Sequence, residues 1–347
     1  MRPYDPIPGI VRIYESAAKT GFFLRPITPN PLFCYNMPMQ QHLSMLSHCI
    51  LCPRHCGADR LGGQNGFCGA GAGLKIAYFG PHFGEEPPIT GTNGSGNIFF
   101  SFCNLRCIFC QNHQISHDGI GGPYSVEDLV SIFFSLRSAG CHNINLVSPT
   151  SYVPLIAPAI EEAKRIGIGL PFIYNTNAYD DVATLKTLEG LIDIYLPDFK
   201  YWSGPMASRL SHAWDGSPYP QAARAAILEM KRQVGDLVIE DGIAKKGIVV
   251  RHLVLPGGLA GSRQVFEWIG ECLGRSTWIG LMSQYLPLYH SGDYPILARR
   301  LRQDEYDSIV AYLINKGFEN VFVQELESAP LFVPDFRQDM PFDESTG

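Results

Sequence analysis

Cys103, Cys107 and Cys110 stand at CxxxCxxC spacing in the run Cys-Asn-Leu-Arg-Cys-Ile-Phe-Cys. Three thiolates so spaced can hold three corners of an iron–sulfur cubane and leave the fourth iron without a protein ligand. Such clusters normally take four cysteines, so a set of three marks an open coordination position. The amino and carboxylate groups of S-adenosylmethionine (SAM) can chelate that iron. A reduced [4Fe–4S] cluster can then pass one electron to the sulfonium and release a 5′-deoxyadenosyl radical. The competing reading is a structural zinc loop. Three cysteines without a fourth nearby, placed directly after an apolar strand-like run, argue against it.

A second group, Cys49-x2-Cys52-x3-Cys56-x11-Cys68, is a complete set of four. Its Cys-Pro and Cys-Gly steps suit tight turns that aim backbone N–H groups at sulfur. Four thiolates satisfy tetrahedral Zn²⁺, a rubredoxin-like iron or an auxiliary [4Fe–4S] cluster, and the spacing leaves these open. His48 and His55 are read as bystanders. Seven of the ten cysteines fall in these two groups, the pattern of metal ligation in a reducing compartment rather than of disulfides. Cys141 and Cys272 are expected to be small core hydrophobes, and Cys34 has no assignment.

The elements that must position these residues follow from Asn97 onward. Short apolar runs at 97–102, 143–148, 171–176, 193–197, 247–255 and 278–282 read as strands. Helical stretches alternate with them, the first opened by a capping box of Ser125 and Asp128 and ended at Gly140. Near-continuous apolar strands alternating with helices predict a parallel sheet covered by helices, an α/β fold with six units in an open, partial (β/α)6 TIM-like barrel. A later helix (303–317) and a short run, Asn320–Leu326, follow. The expected organisation is an irregular arm over 1–48, a Cys-rich metal-binding segment over 49–80, the barrel over 81–326 and a surface tail over 327–347.

In such a sheet, function sits at the carboxyl ends of the strands. The polar residues there are Cys103 to Cys110, Ser148 to Ser151, Asn175 to Asn177, Asp198 to Lys200, and Gln284 to His290. Glu85-Glu86-Pro87-Pro88 could line the substrate mouth, but the leading reading is a solvated loop. The glycine-rich stretch 91–96 lacks the Lys-Ser/Thr of a phosphate loop and reads as a turn.

With these residues in view, CNLRCIFCQN resembles the signature of radical SAM enzymes, and residues 49 to 325 resemble the glycyl-radical-enzyme activases related to pyruvate formate-lyase activating enzyme. Within them the chain is most similar to a branch carrying an extra N-terminal cysteine group. The activase motif Asp-Thr-Asn-Gly resembles Asn175-Thr176-Asn177-Ala178, and Asp-Leu-Lys resembles Asp198-Phe199-Lys200. The Arg-x-Val-x-Pro-Gly strand resembles Arg251 to Gly257, and Leu-Pro-Tyr-His resembles Leu286 to His290 with one residue inserted. The resemblance implies that Lys200 and His290 contact the methionine or ribose of SAM, and that Asp198, Asn175 and Thr176 face a cation. Two departures stand out. The Gly-Gly-Glu that receives the SAM amino group appears as Val147-Ser148-Pro149-Thr150, leaving Ser148 and Thr150 hydroxyls or backbone carbonyls to accept it. Asn175 replaces an aspartate and lowers the charge at the cation position.

The chain has 347 residues, 46% hydrophobic and 17% charged, with net charge −6 and no dense Lys/Arg run. Neither a nucleic-acid footprint nor an anionic membrane surface is expected. The first residues lack the order of a signal peptide and no apolar run reaches membrane-spanning length, so a cytoplasmic protein is expected. The leading expectation is a radical SAM oxidoreductase that abstracts hydrogen from a glycine of a partner protein, with flavodoxin or ferredoxin as reductant. The alternatives are a radical SAM enzyme acting on a peptide side chain or small metabolite and, more remotely, a metal protein that does not cleave SAM.

Overall fold

The computed structural model describes residues 10–13, 42–326 and 333–342. Most of the arm expected over 1–48, both ends of the tail expected over 327–347, and Cys34 lie outside the described residues.

The apolar runs form strands as the alternation predicts. In chain order they are β1 (Ile10–Ile13), β2 (Leu74–His82), β3 (Ser95–Phe100), β4 (Gly122–Tyr124), β5 (Ile144–Val147), β6 (Phe172–Thr176), β7 (Ile194–Pro197), β8 (Val238–Glu240), β9 (Ile243–Leu253), β10 (Trp278–Met282) and β11 (Val321–Gln324). They join one sheet in the order β1-β11-β10-β9-β7-β6-β5-β3-β2-β4, with β8 paired to β9. Every pairing from β1 through to β3 is parallel; β2, β4 and β8 pair antiparallel. The edges β1 and β4 do not pair with each other, so the sheet stays open. It is longer than six units. Residues 10–13, expected to be irregular, add a strand beside β11, and β2 crosses the boundary expected after residue 80.

The strands alternate between two apolar environments because successive side chains point to opposite faces. Outward residues such as Phe100, Leu146, Tyr174, Tyr195 and Val250 meet the helices in the main core. Inward residues Ile173, Ile194, Leu196, Val249 and Phe322 pack together with Ile89 into a smaller plug inside the sheet's curve. The plug closes one end, and the carboxyl ends of the strands surround a cavity at the other. Helix Val126–Ser138 begins at the expected capping box: Ser125 Oγ accepts Asp128 N–H at 3.1 Å and Asp128 Oδ2 accepts Ser125 N–H at 2.9 Å. Helix Gly204–Ser211 was not expected. Its signal is the N-cap Ser203 followed by Gly204-Pro205 at the first positions.

His252 on β9 is fully buried, its Nδ1 2.6 Å from Phe199 O and its Nε2 2.8 Å from Ser262 Oγ. Burial pushes its pKa down to about 4. The unfolded chain takes up that proton near pH 6.5, so the native state resists a charge the unfolded state accepts. Stability from this group is complete above pH 6.5 and is lost as pH falls toward 4, by about 3 kcal/mol in all. Denaturation midpoints measured across this range should fall more steeply for the wild type than for His252→Asn; parallel curves would refute it. Separately, Phe133→Ala in the main core should cost about 3–5 kcal/mol and the exposed cap change Ser125→Ala about 1 kcal/mol, as read by chemical denaturation.

Candidate active site

The loop after β3 starts with Phe102 in a left-handed conformation, φ 71°. That is unusual for an aromatic residue and requires surroundings that enforce it. Two glycines supply them: a Cβ on Gly69 would meet the Phe102 ring at 2.7 Å, and one on Gly119 at 2.4 Å. The turn delivers Cys103 to the mouth of a cavity of ≈ 260 Å³, which Cys107 and Cys110 also line. The loop is then tied to helix Gly204–Ser211, with Arg106 N–H donating to Ser211 O at 2.9 Å and Ile108 N–H to Leu210 O at 3.0 Å.

Each thiol of the loop meets one polar side chain. Asn177 Nδ2 lies 3.2 Å from Cys103 Sγ, Ser211 Oγ 3.0 Å from Cys107 Sγ, and Ser116 Oγ 3.2 Å from Cys110 Sγ. Burial pushes Cys103 up to about 11 and Cys110 up to about 12, and raises Cys107 as well. Without a metal these are neutral thiols, so metal binding must displace protons. Lys200 lies close enough to Cys107 and Cys103 to oppose that rise. Burial works against the lysine's own charge, but Asp198, 2.6 Å from its Nζ, outweighs it and the pKa is raised.

Ser148, Asn175, Thr176, Asn177, Asp198 and Lys200 all line the cavity with the three cysteines. Thr150 and His290 do not. Three hydroxyls donate to the Asp180 carboxylate: Thr150 Oγ1 at 2.7 Å, Tyr174 OH at 2.9 Å and Thr176 Oγ1 at 2.5 Å. This buried carboxylate, its pKa raised by desolvation, fixes the turn that carries Asn177. The Thr176 hydroxyl is thus committed to Asp180, and Asp198 is paired with Lys200. The cation that Asp198 meets is the ammonium of Lys200. His290 is displaced by the extra residue in its motif: Tyr289 adopts φ 56° and stacks on His113 at 4.8 Å, leaving the His290 side chain 60% exposed beside Asp293. Gln284 lines the cavity from the same segment and is held through its carbonyl by Gln111 Nε2 at 2.7 Å.

The cavity floor corrects another expectation. Glu85 and Glu86 are buried, and both carboxylates pair with Arg251 of β9. Arg251 Nε donates to Glu86 at 2.8 Å, while Asn97 and Asn145 donate to Glu85 at 2.7 and 3.0 Å. Gly280 of β10 makes room: a Cβ there would meet Glu86 Oε1 at 2.5 Å. A doubly paired guanidinium satisfies charges that could not otherwise be buried.

Cys49, Cys52, Cys56 and Cys68 line a second, small void together with Asn104, Thr150 and Ser151. Fully buried Arg60 spans it, 4.0 Å from Cys49 Sγ and donating to Gly71 O at 2.8 Å and Ser151 O at 2.7 Å. Among the described residues no group of three or more His, Cys, Asp or Glu side chains is gathered so as to hold a single metal ion. Asn104 belongs to both cysteine groups: it lines the second void, accepts Asn177 Nδ2 at 2.8 Å and offers its carbonyl to Arg54 Nε at 2.6 Å. Of the other cysteines, Cys141 is buried as expected, but Cys272 is exposed.

Sequence reasoning missed Asp180, Ser211, Ser116 and Tyr219. The Tyr219 hydroxyl accepts Lys200 N–H at 2.9 Å and lies 2.7 Å from Asp198 O and 2.8 Å from Asn177 O, joining two post-strand turns. Only Asp180 carried a signal, as an acid four residues beyond the polar end of β6.

No protein-family model matches the chain. An uncharacterised protein of Methanocaldococcus jannaschii is 28% identical over 277 residues, 76% of this chain and 73% of that protein. Among solved structures, the chain is similar to the FeFe-hydrogenase maturase HydG from Carboxydothermus hydrogenoformans, with TM-score 0.43 and 11% identity over 64% of this chain and 56% of that one. It is similar to AdoMet-bound anSMEcpe, with TM-score 0.44 and 14% identity over 68% of this chain and 62% of that one. A radical SAM methyltransferase from Sphaerobacter thermophilus gives TM-score 0.42 and 15% identity over 66% and 68%. The chain thus spans less than two thirds of the first two structures.

Removing one member of the half-buried Lys200–Asp198 pair leaves the other's charge unpaired. Lys200→Met should cost about 1–3 kcal/mol in the metal-free protein, and Lys200→Met with Asp198→Leu should recover much of that loss. Additive losses in this double-mutant cycle, measured by denaturation, would show that the pair is not coupled.

Proposed function

We propose that the chain is a radical SAM enzyme, with Cys103, Cys107 and Cys110 holding a [4Fe–4S] cluster at the cavity mouth. What supports this most directly is the convergence of three half-buried thiols on one cavity, each beside a hydrogen-bonding side chain and two of them, Cys103 and Cys107, close to Lys200. The donor set fits the group: sulfur ligands suit iron–sulfur clusters, and hydrogen bonds to the sulfurs tune them. Bound there, the cluster supplies an open iron for SAM and the electron that cleaves it to a 5′-deoxyadenosyl radical.

The chain's own residues do the rest. Lys200 offers a fixed cation to the SAM carboxylate, and Asp198 keeps that ammonium in place. Ser148, in the position of the missing Gly-Gly-Glu, and the adjacent backbone accept from the SAM amino group. The apolar wall of Phe109, Leu253 and Met282 excludes water from the reacting end. The target is a hydrogen on the Cα of a glycine in a partner protein, reached through the cavity mouth, and a small reducing protein of the flavodoxin or ferredoxin type supplies the electron. The Cys49, Cys52, Cys56 and Cys68 group holds a second metal, and four thiolates satisfy tetrahedral zinc, a single iron or an auxiliary iron–sulfur cluster. A second reading, modification of a peptide side chain or small metabolite, is favoured by the replacement of Gly-Gly-Glu with Val147 to Thr150.

Anaerobic reconstitution with iron and zinc counting and a 5′-deoxyadenosine assay tests the assignment. Cys103→Ala should lose SAM cleavage outright; Cys52→Ala should lose the second metal yet retain uncoupled cleavage. Persistent cleavage in Cys103→Ala would rule out this site. Ser211→Ala, which removes a donor to Cys107, should lower the cluster's reduction potential in a redox titration. A glycine-centred EPR doublet on a candidate partner protein distinguishes the first reading from the second.

A further inference from the structure

β3 turns Phe99 toward the cavity, where it joins an apolar cluster separate from the main core. Much of that cluster comes from the far end of the chain. Phe336 is buried against Phe99 at 5.5 Å between ring centres, and Phe342 sits 5.3 Å from Phe99, 4.7 Å from His82 and 5.9 Å from Tyr78. Phe342 lines the same cavity as the three cysteines. The segment expected to be a surface tail is therefore inside the mouth.

Its attachment is specific. The buried amide of Gln114 donates from Nε2 to Asp335 Oδ1 at 2.9 Å and accepts Phe336 N–H at Oε1, 2.7 Å. Asp335 N–H also donates to Pro341 O at 2.9 Å, so residues 335–341 form a loop closed on itself. Gln114 lies on the short helix His113–Ser116, two residues before the serine that meets Cys110. The loop packs on β2 and β3, beside the cavity mouth. An amide that pairs with a main-chain N–H and a cage of rings that takes a phenyl group recognise features any polypeptide loop can offer.

We propose that this opening is a polypeptide-binding surface which residues 333–342 occupy in the place of a loop from a substrate protein. Phe342 then holds the seat of that loop's aromatic side chain. The inference rests on the reading of the cavity as a site for a protein substrate and narrows it: the substrate presents an aromatic residue on a compact loop and must displace this chain's own segment to enter.

The test uses the full-length, metal-free protein, so its outcome does not depend on SAM cleavage. N-ethylmaleimide labelling followed by peptide mass spectrometry reads access to Cys103, Cys107 and Cys110, with exposed Cys272 as the internal reference. If the segment occupies the mouth most of the time, Phe342→Ala and Gln114→Ala should each speed labelling of the three thiols about tenfold. A fluorescent synthetic peptide copying residues 333–342 should bind Phe342→Ala about tenfold more tightly than the wild type, slow the accelerated labelling, and lose binding when its own phenylalanine corresponding to Phe342 is replaced by alanine. Unchanged labelling in both variants, or equal peptide binding to wild type and variant, would overturn the proposal. Intact labelling effects in a protein that never cleaves SAM would instead retire the enzymatic reading and leave the surface standing.

Discussion

The ammonium of Lys200 is the fixed positive charge around which the mouth is arranged. Asp198 grips it, Cys107 and Cys103 lie within its field, and its backbone N–H is held by Tyr219. Taking so many ionisable groups out of water is tolerable only if each is paired or neutral. The structure uses both solutions, pairing the lysine with the aspartate and leaving the thiols protonated until a metal takes the proton's place. Tyr219 extends the arrangement to Asn177, and Asn177 to Cys103, so the charge pair and the thiol loop are braced by the same few hydrogen bonds.

The floor solves the same problem differently. Arg251 is enclosed by Glu85 and Glu86, with two asparagines completing the shell of Glu85. Between this ion-paired floor and the Lys200–Asp198 pair, the cavity has polar ends and a largely apolar wall. That is a shape suited to a molecule with charged groups at one end.

Most of the frame was legible because period and punctuation are local. Apolar runs gave the six strands from 97 to 282, and Ser125 with Asp128 marked a helix start that the structure keeps. The polar residues after the strands converge because parallel strands place their carboxyl ends together. What was not legible depended on distant partners. Glu85 and Glu86 read as solvated because nothing near them in sequence foretells Arg251, 165 residues away. Thr150 was expected to meet a ligand, but Asp180 takes its hydroxyl; His290 was expected in the cavity, but a one-residue insertion turns it outward. The tail read as surface because it is rich in Pro and Asp, and only the location of Phe99 gives its aromatic residues a destination.

Phe102 carries one more implication. Its left-handed backbone is accommodated by Gly69, in the cysteine-rich segment, and Gly119, in the loop after the first cysteine set, while β2 runs from that segment straight into the sheet. The cysteine-rich region is therefore not an appendage that recombination could add to or strip from a finished barrel. It supplies part of the mould in which the thiol loop is cast, so a side chain added at Gly69 would push on the residue that leads into Cys103.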